Sequence, residues 1–158
     1  MIPDDKNCRR CRKGYGLVLL TNNQTFARKI IRLFGDVTIQ DINNEARAVR
    51  RLREAGGHPN LVEIYRDGWL KSHSSPSYFF DMEYCEHTLE YCLNKLADKE
   101  DKAIRDGEGQ VIAQQRTQTA LQIAIDITAG LEFIHSNGQA HRDLKPRNGN
   151  SPQTSTRY

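Results

Sequence analysis

The sequence has no long hydrophobic run. Its apolar stretches, such as Leu17-Val18-Leu19-Leu20, are far shorter than the roughly 20 residues that cross a bilayer. The start, Met1-Ile2-Pro3-Asp4-Asp5, carries acids where a secretory leader carries bases and lacks its apolar core. These absences predict an intracellular protein, cytoplasmic or nuclear, with no membrane partner. Core-forming material is scarce too. Hydrophobic residues make up 37% and mean hydropathy is -0.71, on the polar side of ordinary globular chains, so marginal stability is expected. A strong charge excess is also missing: 23 Lys and Arg against 20 Asp and Glu leave +3. The basic residues gather at 9–13, 28–32 and 47–53 without the strong basic face and interleaved aromatics of a nucleic-acid surface. No nucleic-acid partner is expected, and the clusters read as solvated faces.

Cysteine is sparse. Cys8 and Cys11 have the C-x-x-C spacing that can begin a zinc site, but the remaining two, Cys85 and Cys92, are separated by six residues and sit in apolar-patterned segments. Reduced, unligated thiols are the expectation. A length of 158 residues allows one ordinary domain, or one lobe and part of another.

Read in order, residues 1–13 are polar and expected to be irregular. Gly14-Tyr15-Gly16 leads into the apolar run at 17–20, Thr21-Asn22-Asn23-Gln24 turns the chain, and a second strand follows from Thr25. From Ile39 the intervals become three and four, through Ile42, Glu45, Ala46, Val49 and Leu52, which predicts a helix stopped by Gly56-Gly57 and Pro59. Glu45 falls on the apolar stripe, so it is either a snorkelling acid or half of an ion pair, and Lys29 on the preceding strand is the natural partner. Residues 61–70 and 78–84 read as further strands, 87–97 as a short helix, and the charged stretch 98–110 as an exposed loop. Residues 115–137 carry the strongest helical signal, with Leu121, Ala124, Ile125, Thr128, Leu131 and Ile134 on one face and Asn137-Gly138 as the stop. The fold class is α+β: a small antiparallel sheet with one helix, joined near Glu86 to a helical portion.

Directly after that long helix come His141-Arg142-Asp143-Leu144-Lys145-Pro146-Arg147-Asn148. Phosphoryl transfer requires positioning and charge neutralisation more than covalent help. Asp143 can orient an attacking hydroxyl and take its proton, Lys145 can offset charge on the travelling phosphate, and the amide oxygen of Asn148 suits a hard cation such as Mg2+.

These eight residues match every defining position of H-R-D-L-x-x-x-N and resemble the catalytic loop of eukaryotic protein kinases. Lysine two places after the aspartate is similar to the serine/threonine subclass. The other landmarks fall in order. Ala27-Arg28-Lys29 resembles the A-x-K strand, and the resemblance makes Lys29 the contact for the phosphates of ATP, with Glu45 holding it. His58-Pro59-Asn60-Leu61-Val62 is similar to the turn after that helix. Tyr78 to Cys85 resembles the fifth strand and hinge, which implies Met82 as gatekeeper, Glu83 and Cys85 offering backbone groups to adenine, and Val18 and Ala27 roofing the base. Gly14 and Gly16 stand where a glycine-rich loop would approach phosphate. Each piece alone has an ordinary explanation, since Lys29 could be surface and His141 a packed histidine, but their joint order and spacing make chance improbable.

The resemblance implies a kinase-like N-lobe and hinge over 14–85, a partial helical C-lobe over 86–148 that ends in the catalytic loop, an irregular segment at 1–13 and a polar tail at 149–158. It also implies ATP and Mg2+ as cofactors and a protein substrate. Two departures follow. Cys11 and Lys13 occupy the first two glycine positions of G-x-G-x-x-G-x-V, and Gly149 and Asn150 stand where the family has apolar residues, with no D-F-G or A-P-E after them. The expectation is therefore an incomplete copy, inactive alone, with the apolar face of the 115–137 helix exposed. The alternative is a non-catalytic, pseudokinase-like binding or regulatory fragment that competes for a kinase's partners.

Overall fold

In the computed structural model the chain divides into two compact units, Met1–Tyr84 and Cys85–Tyr158. Residues 8–10, 16–21, 24–70, 76–106 and 109–151 are described. The Asn-rich turn, Gly14, Cys11 and Lys13 lie outside them.

The first unit is built on a five-stranded antiparallel sheet in the order β1-β2-β3-β5-β4. Its strands are β1 (Cys8–Arg10), β2 (Gly16–Thr21), β3 (Gln24–Arg32), β4 (Ile64–Leu70) and β5 (Ser77–Glu83), with α1 (Ile39–Glu54) between β3 and β4. The β2–β3 hairpin follows the expected pattern. β1 does not, since Cys8, Arg9 and Arg10 pair with Leu19, Val18 and Leu17 where irregular chain was expected. It stands at one end of the strand order.

Side chains alternate across a strand, so β3 presents Ala27, Lys29 and Ile31 to one side of the sheet and Phe26 and Arg28 to the other. α1 covers the first side. Ile42 and Ala46 are buried there against Tyr78 and Phe80, with Ile31, Leu33, Val49, Ile64 and Met82 at the margin. The helix begins with a capping box, in which Thr38 Oγ1 accepts from the Asp41 N–H at 3.1 Å and the Asp41 carboxylate accepts from the Thr38 N–H at 2.9 Å. It ends as the glycine pair predicts. Gly56 and Gly57 have φ of 99° and 67°, and their N–H groups reach back to the carbonyls of Arg53 and Leu52.

The second unit contains β6 (His87–Thr88), α2 (Leu89–Arg105), α3 (Gly109–Ser136) and β7 (Asn150–Ser151). Here two expectations fail. The short helix at 87–97 and the loop at 98–110 are replaced by a longer α2 and an earlier start of α3. Charge was mistaken for irregularity: Ala97, Lys99, Glu100, Lys102, Ala103 and Arg105 all have high helix propensity. Asn150 and Ser151 pair with Thr88 and His87. α3 stops as predicted, with Gly138 at φ 66° and the N–H groups of Gly138 and Gln139 on the carbonyls of His135 and Ile134. Its apolar stripe is buried at Ile134, whereas Leu121 and Ile125 are 60% and 59% exposed.

Candidate active site

In the first unit the sheet register sets the predicted residues in two rows. Gly16 lies opposite Lys29, which lies opposite Phe80, and Val18 lies opposite Ala27, which lies opposite Met82. The alanine and the methionine are therefore direct neighbours across β3 and β5. Lys29 Nζ donates to Glu45 Oε1 at 2.6 Å, so the inward acid and the strand lysine are partners. The pair is half-exposed rather than buried, with side chains 51% and 43% accessible. An ammonium has three donors, and one carboxylate oxygen leaves the others available to an anion. The Glu83 N–H donates to the Glu63 carbonyl at 2.8 Å, so of its main-chain groups only the carbonyl could serve a ligand.

The other side of the sheet holds a group that sequence reasoning missed. Arg28, placed in a solvated basic cluster on sequence grounds, is 7% exposed and Asp81 is 1% exposed. Arg28 Nε and Nη2 lie 2.5 and 2.8 Å from the two Asp81 oxygens, and Arg66 Nε joins at 2.6 Å. The signal was there: Asp81 interrupts the apolar run Tyr78-Phe79-Phe80, and period-2 alternation turns Arg28 away from Lys29. A second network lies beneath α1, where half-buried Asp67 accepts from Arg50 at 2.6 Å and from the Tyr78 hydroxyl. Burial would raise the Asp67 pKa, but the bonds from Arg50 and Tyr78 and the charges of Arg50 and Arg53 outweigh it and hold this carboxyl below its ordinary value.

In the second unit the loop after α3 gathers Asp143, Lys145 and Asn148. Lys145 Nζ lies 2.9 and 2.8 Å from the two carboxylate oxygens of Asp143. Asn148 Nδ2 donates to the Asp143 carbonyl at 2.9 Å and to its Oδ2 at 2.8 Å. The amide nitrogen is thus committed and Oδ1 is the group left to meet a hard cation. The hydrogen bonds from Lys145 and Asn148, with the charges of Lys145 and His141, hold the Asp143 carboxyl below the usual carboxylate value.

Two features hold this loop in shape. Arg142 has φ 63°, and the Asp143 N–H donates to the His141 carbonyl at 2.9 Å, closing a strained three-residue turn of the kind found at functional sites. At the far end the Leu89 and Glu90 N–H groups, orphan donors in the first turn of α2, are taken by the carbonyls of Gly149 and Pro146 at 2.8 and 3.1 Å. Arg147 Nε also reaches Glu90 at 3.2 Å. Neither the turn nor this tether was foreseen from the sequence.

Residues 13–149 match the protein kinase domain. The chain belongs to that family. Among its relatives, serine/threonine-protein kinase TOS3 of Saccharomyces cerevisiae is 32% identical over 68% of this chain and 17% of its own length. The serine/threonine-protein kinase/endoribonuclease IRE1 of Hypocrea jecorina is 30% identical over 71% of this chain and 8% of its own. Serine/threonine-protein kinase PknB of Mycobacterium leprae is 30% identical over 75% of this chain and 18% of its own. The chain thus spans less than a fifth of these relatives. In the vocabulary of the kinase domain, the first unit is the N-lobe, an antiparallel sheet with helix C, and the second is part of the helical C-lobe. No helix among the described residues is long and apolar enough to cross a membrane.

Proposed function

We propose that the chain is the ATP-holding and base-presenting part of a kinase that phosphorylates serine or threonine in a protein substrate. The observation that carries this reading is the closure of Lys145 and Asn148 on Asp143. An ionised carboxylate fixed by two donors is a ready acceptor for the proton of an attacking hydroxyl, and an ammonium beside it can offset charge developing on the transferred phosphoryl. Asn148 Oδ1 would hold Mg2+, which prefers oxygen ligands and takes the remainder from phosphate and water; when bound, the ion neutralises phosphate charge. Lys29, held by Glu45, would bind phosphate oxygens of ATP. Val18 and Ala27 would roof adenine beside Met82, and the Glu83 carbonyl and the Cys85 main chain would hydrogen-bond it. Gly16, and Gly14 before it, would let backbone approach the phosphates.

A second reading, nucleotide binding without turnover, is favoured by Cys11 and Lys13 at the first two glycine positions. One pair of measurements separates the two. Thermal melting with and without ATP and Mg2+ should show stabilisation that Lys29→Met removes. Against the expectation that the chain is inactive alone, transfer of labelled phosphate to a serine- and threonine-rich protein such as casein, lost in Asp143→Ala, would favour the first reading. Stabilisation with no transfer would favour the second reading, and neither effect would sink both.

A further inference from the structure

The outward side of α1 is crowded with like charge. Asn43, Arg47, Arg50, Arg51 and Glu54 line one open, polar groove of about 550 Å3. Arg50 is committed below to Asp67 and to the Tyr78 hydroxyl, at 2.6 and 2.7 Å, and Arg53 stands 3.7 Å from the same carboxylate. Arg47 and Arg51 are exposed and form no ion pair among the described residues. They stand four positions apart, where like charges on a helix repel. Cations in the last turn gain from the helix C-terminus, which accounts for Arg51 and Arg53 but not for Arg47, further up the helix.

We propose that this groove docks an acidic peptide segment of a partner protein. Two free guanidinium forks match carboxylates bidentately. Asn43 and Glu54 at the groove's ends supply acceptors that peptide N–H groups can use. A phosphodiester backbone has no N–H to offer the acceptors of Asn43 and Glu54, so a nucleic acid fits less well. The lining has no apolar residue to enter a bilayer, which disfavours a membrane surface. The groove lies wholly within the first unit, and its occupancy does not depend on the nucleotide reading. Because α1 also carries Glu45, a docked segment would restrain the helix that holds Lys29.

The test is fluorescence anisotropy of a labelled hexaglutamate peptide titrated with the whole chain. Arg47→Glu with Arg51→Glu should weaken binding at least tenfold, while the charge-matched Arg32→Glu with Lys99→Glu changes it less than twofold. Equal losses in both would overturn the proposal, since they would report net charge alone. Tighter binding of a single-stranded oligonucleotide or of phosphatidylserine vesicles, lost in the Arg47 and Arg51 variant, would overturn it in favour of those partners. If circular dichroism shows that the double variant has lost helix, Arg47→Gln alone decides by the same readings.

Discussion

Lys29 Nζ lies 2.6 Å from Glu45 Oε1, tying the sheet to the helix that covers it. Because both side chains are about half exposed, the bond itself contributes little to stability, on the order of 0–1 kcal/mol. What it does is fix where the ammonium stands. Lys29→Met and Glu45→Gln should therefore melt within a few degrees of the parent chain, yet each should weaken ATP binding by roughly tenfold, equivalent to about 1.4 kcal/mol. Isothermal titration with ATP and Mg2+ measures this, and unchanged affinity in Lys29→Met would remove that residue from the site.

Lys145 and Asn148 stabilise the charged form of Asp143 and hold its carboxyl below the ordinary value. A depressed carboxylate keeps its charge as pH falls and takes a proton only below the ordinary value of about 3.9. Replacing Lys145 with Ala removes the leading cause, so the midpoint should move up towards that value, and Asn148→Ala should move it less. Carbon-13 NMR of the aspartate carboxyls gives the midpoints directly. A midpoint unmoved by either substitution would mean that the contacts do not hold in solution.

Asp81 makes the opposite kind of pair, nearly sealed from water. Asp81→Ala leaves the Arg28 guanidinium buried without a counter-charge, which costs about 3–5 kcal/mol, a large part of what a small domain has. Arg66 loses the same partner at smaller cost, being half exposed. Combining Asp81→Leu with Arg28→Met removes both charges and should recover most of the loss. Urea midpoints for the single and double variants measure it, and a double variant no better than the single would refute this account.

How far the sequence could be read depended on whether a residue's neighbours were local. α1 was legible because its stripe and its glycine stop lie within one short stretch, Ile39 to Gly57. The pairing of Lys29 with Glu45 was legible because an acid on an apolar stripe demands a cation nearby. Asp143, Lys145 and Asn148 were legible as a motif, within one short loop. Arg28 was not, since its burial is set by β5, 53 positions away in sequence, and the basic residues around it suggested solvent. The reading of 98–110 as loop failed differently, by weighing charge above the helix propensity of the same residues. The left-handed Arg142 was beyond reach because nothing in its side chain announces that conformation.

Gly149 is held by space rather than by φ. A Cβ built there would meet Leu89 Cβ at 3.1 Å and Leu89 Cδ2 at 3.3 Å, while its carbonyl accepts the Leu89 N–H at 2.8 Å. The Leu89 Cβ is fixed to the helix backbone and cannot swing aside, so any side chain at 149 must push the loop off the start of α2. Gly149→Val should cost about 1–3 kcal/mol, as overpacking does, and should disturb the Asn148 contacts on Asp143 next to it. Leu89→Gly removes that Cβ and opens the space, so the two substitutions should couple favourably by about 0.5–3 kcal/mol. A double-mutant cycle in urea reads the coupling, and strictly additive losses would show that the contact does not set the position of the loop.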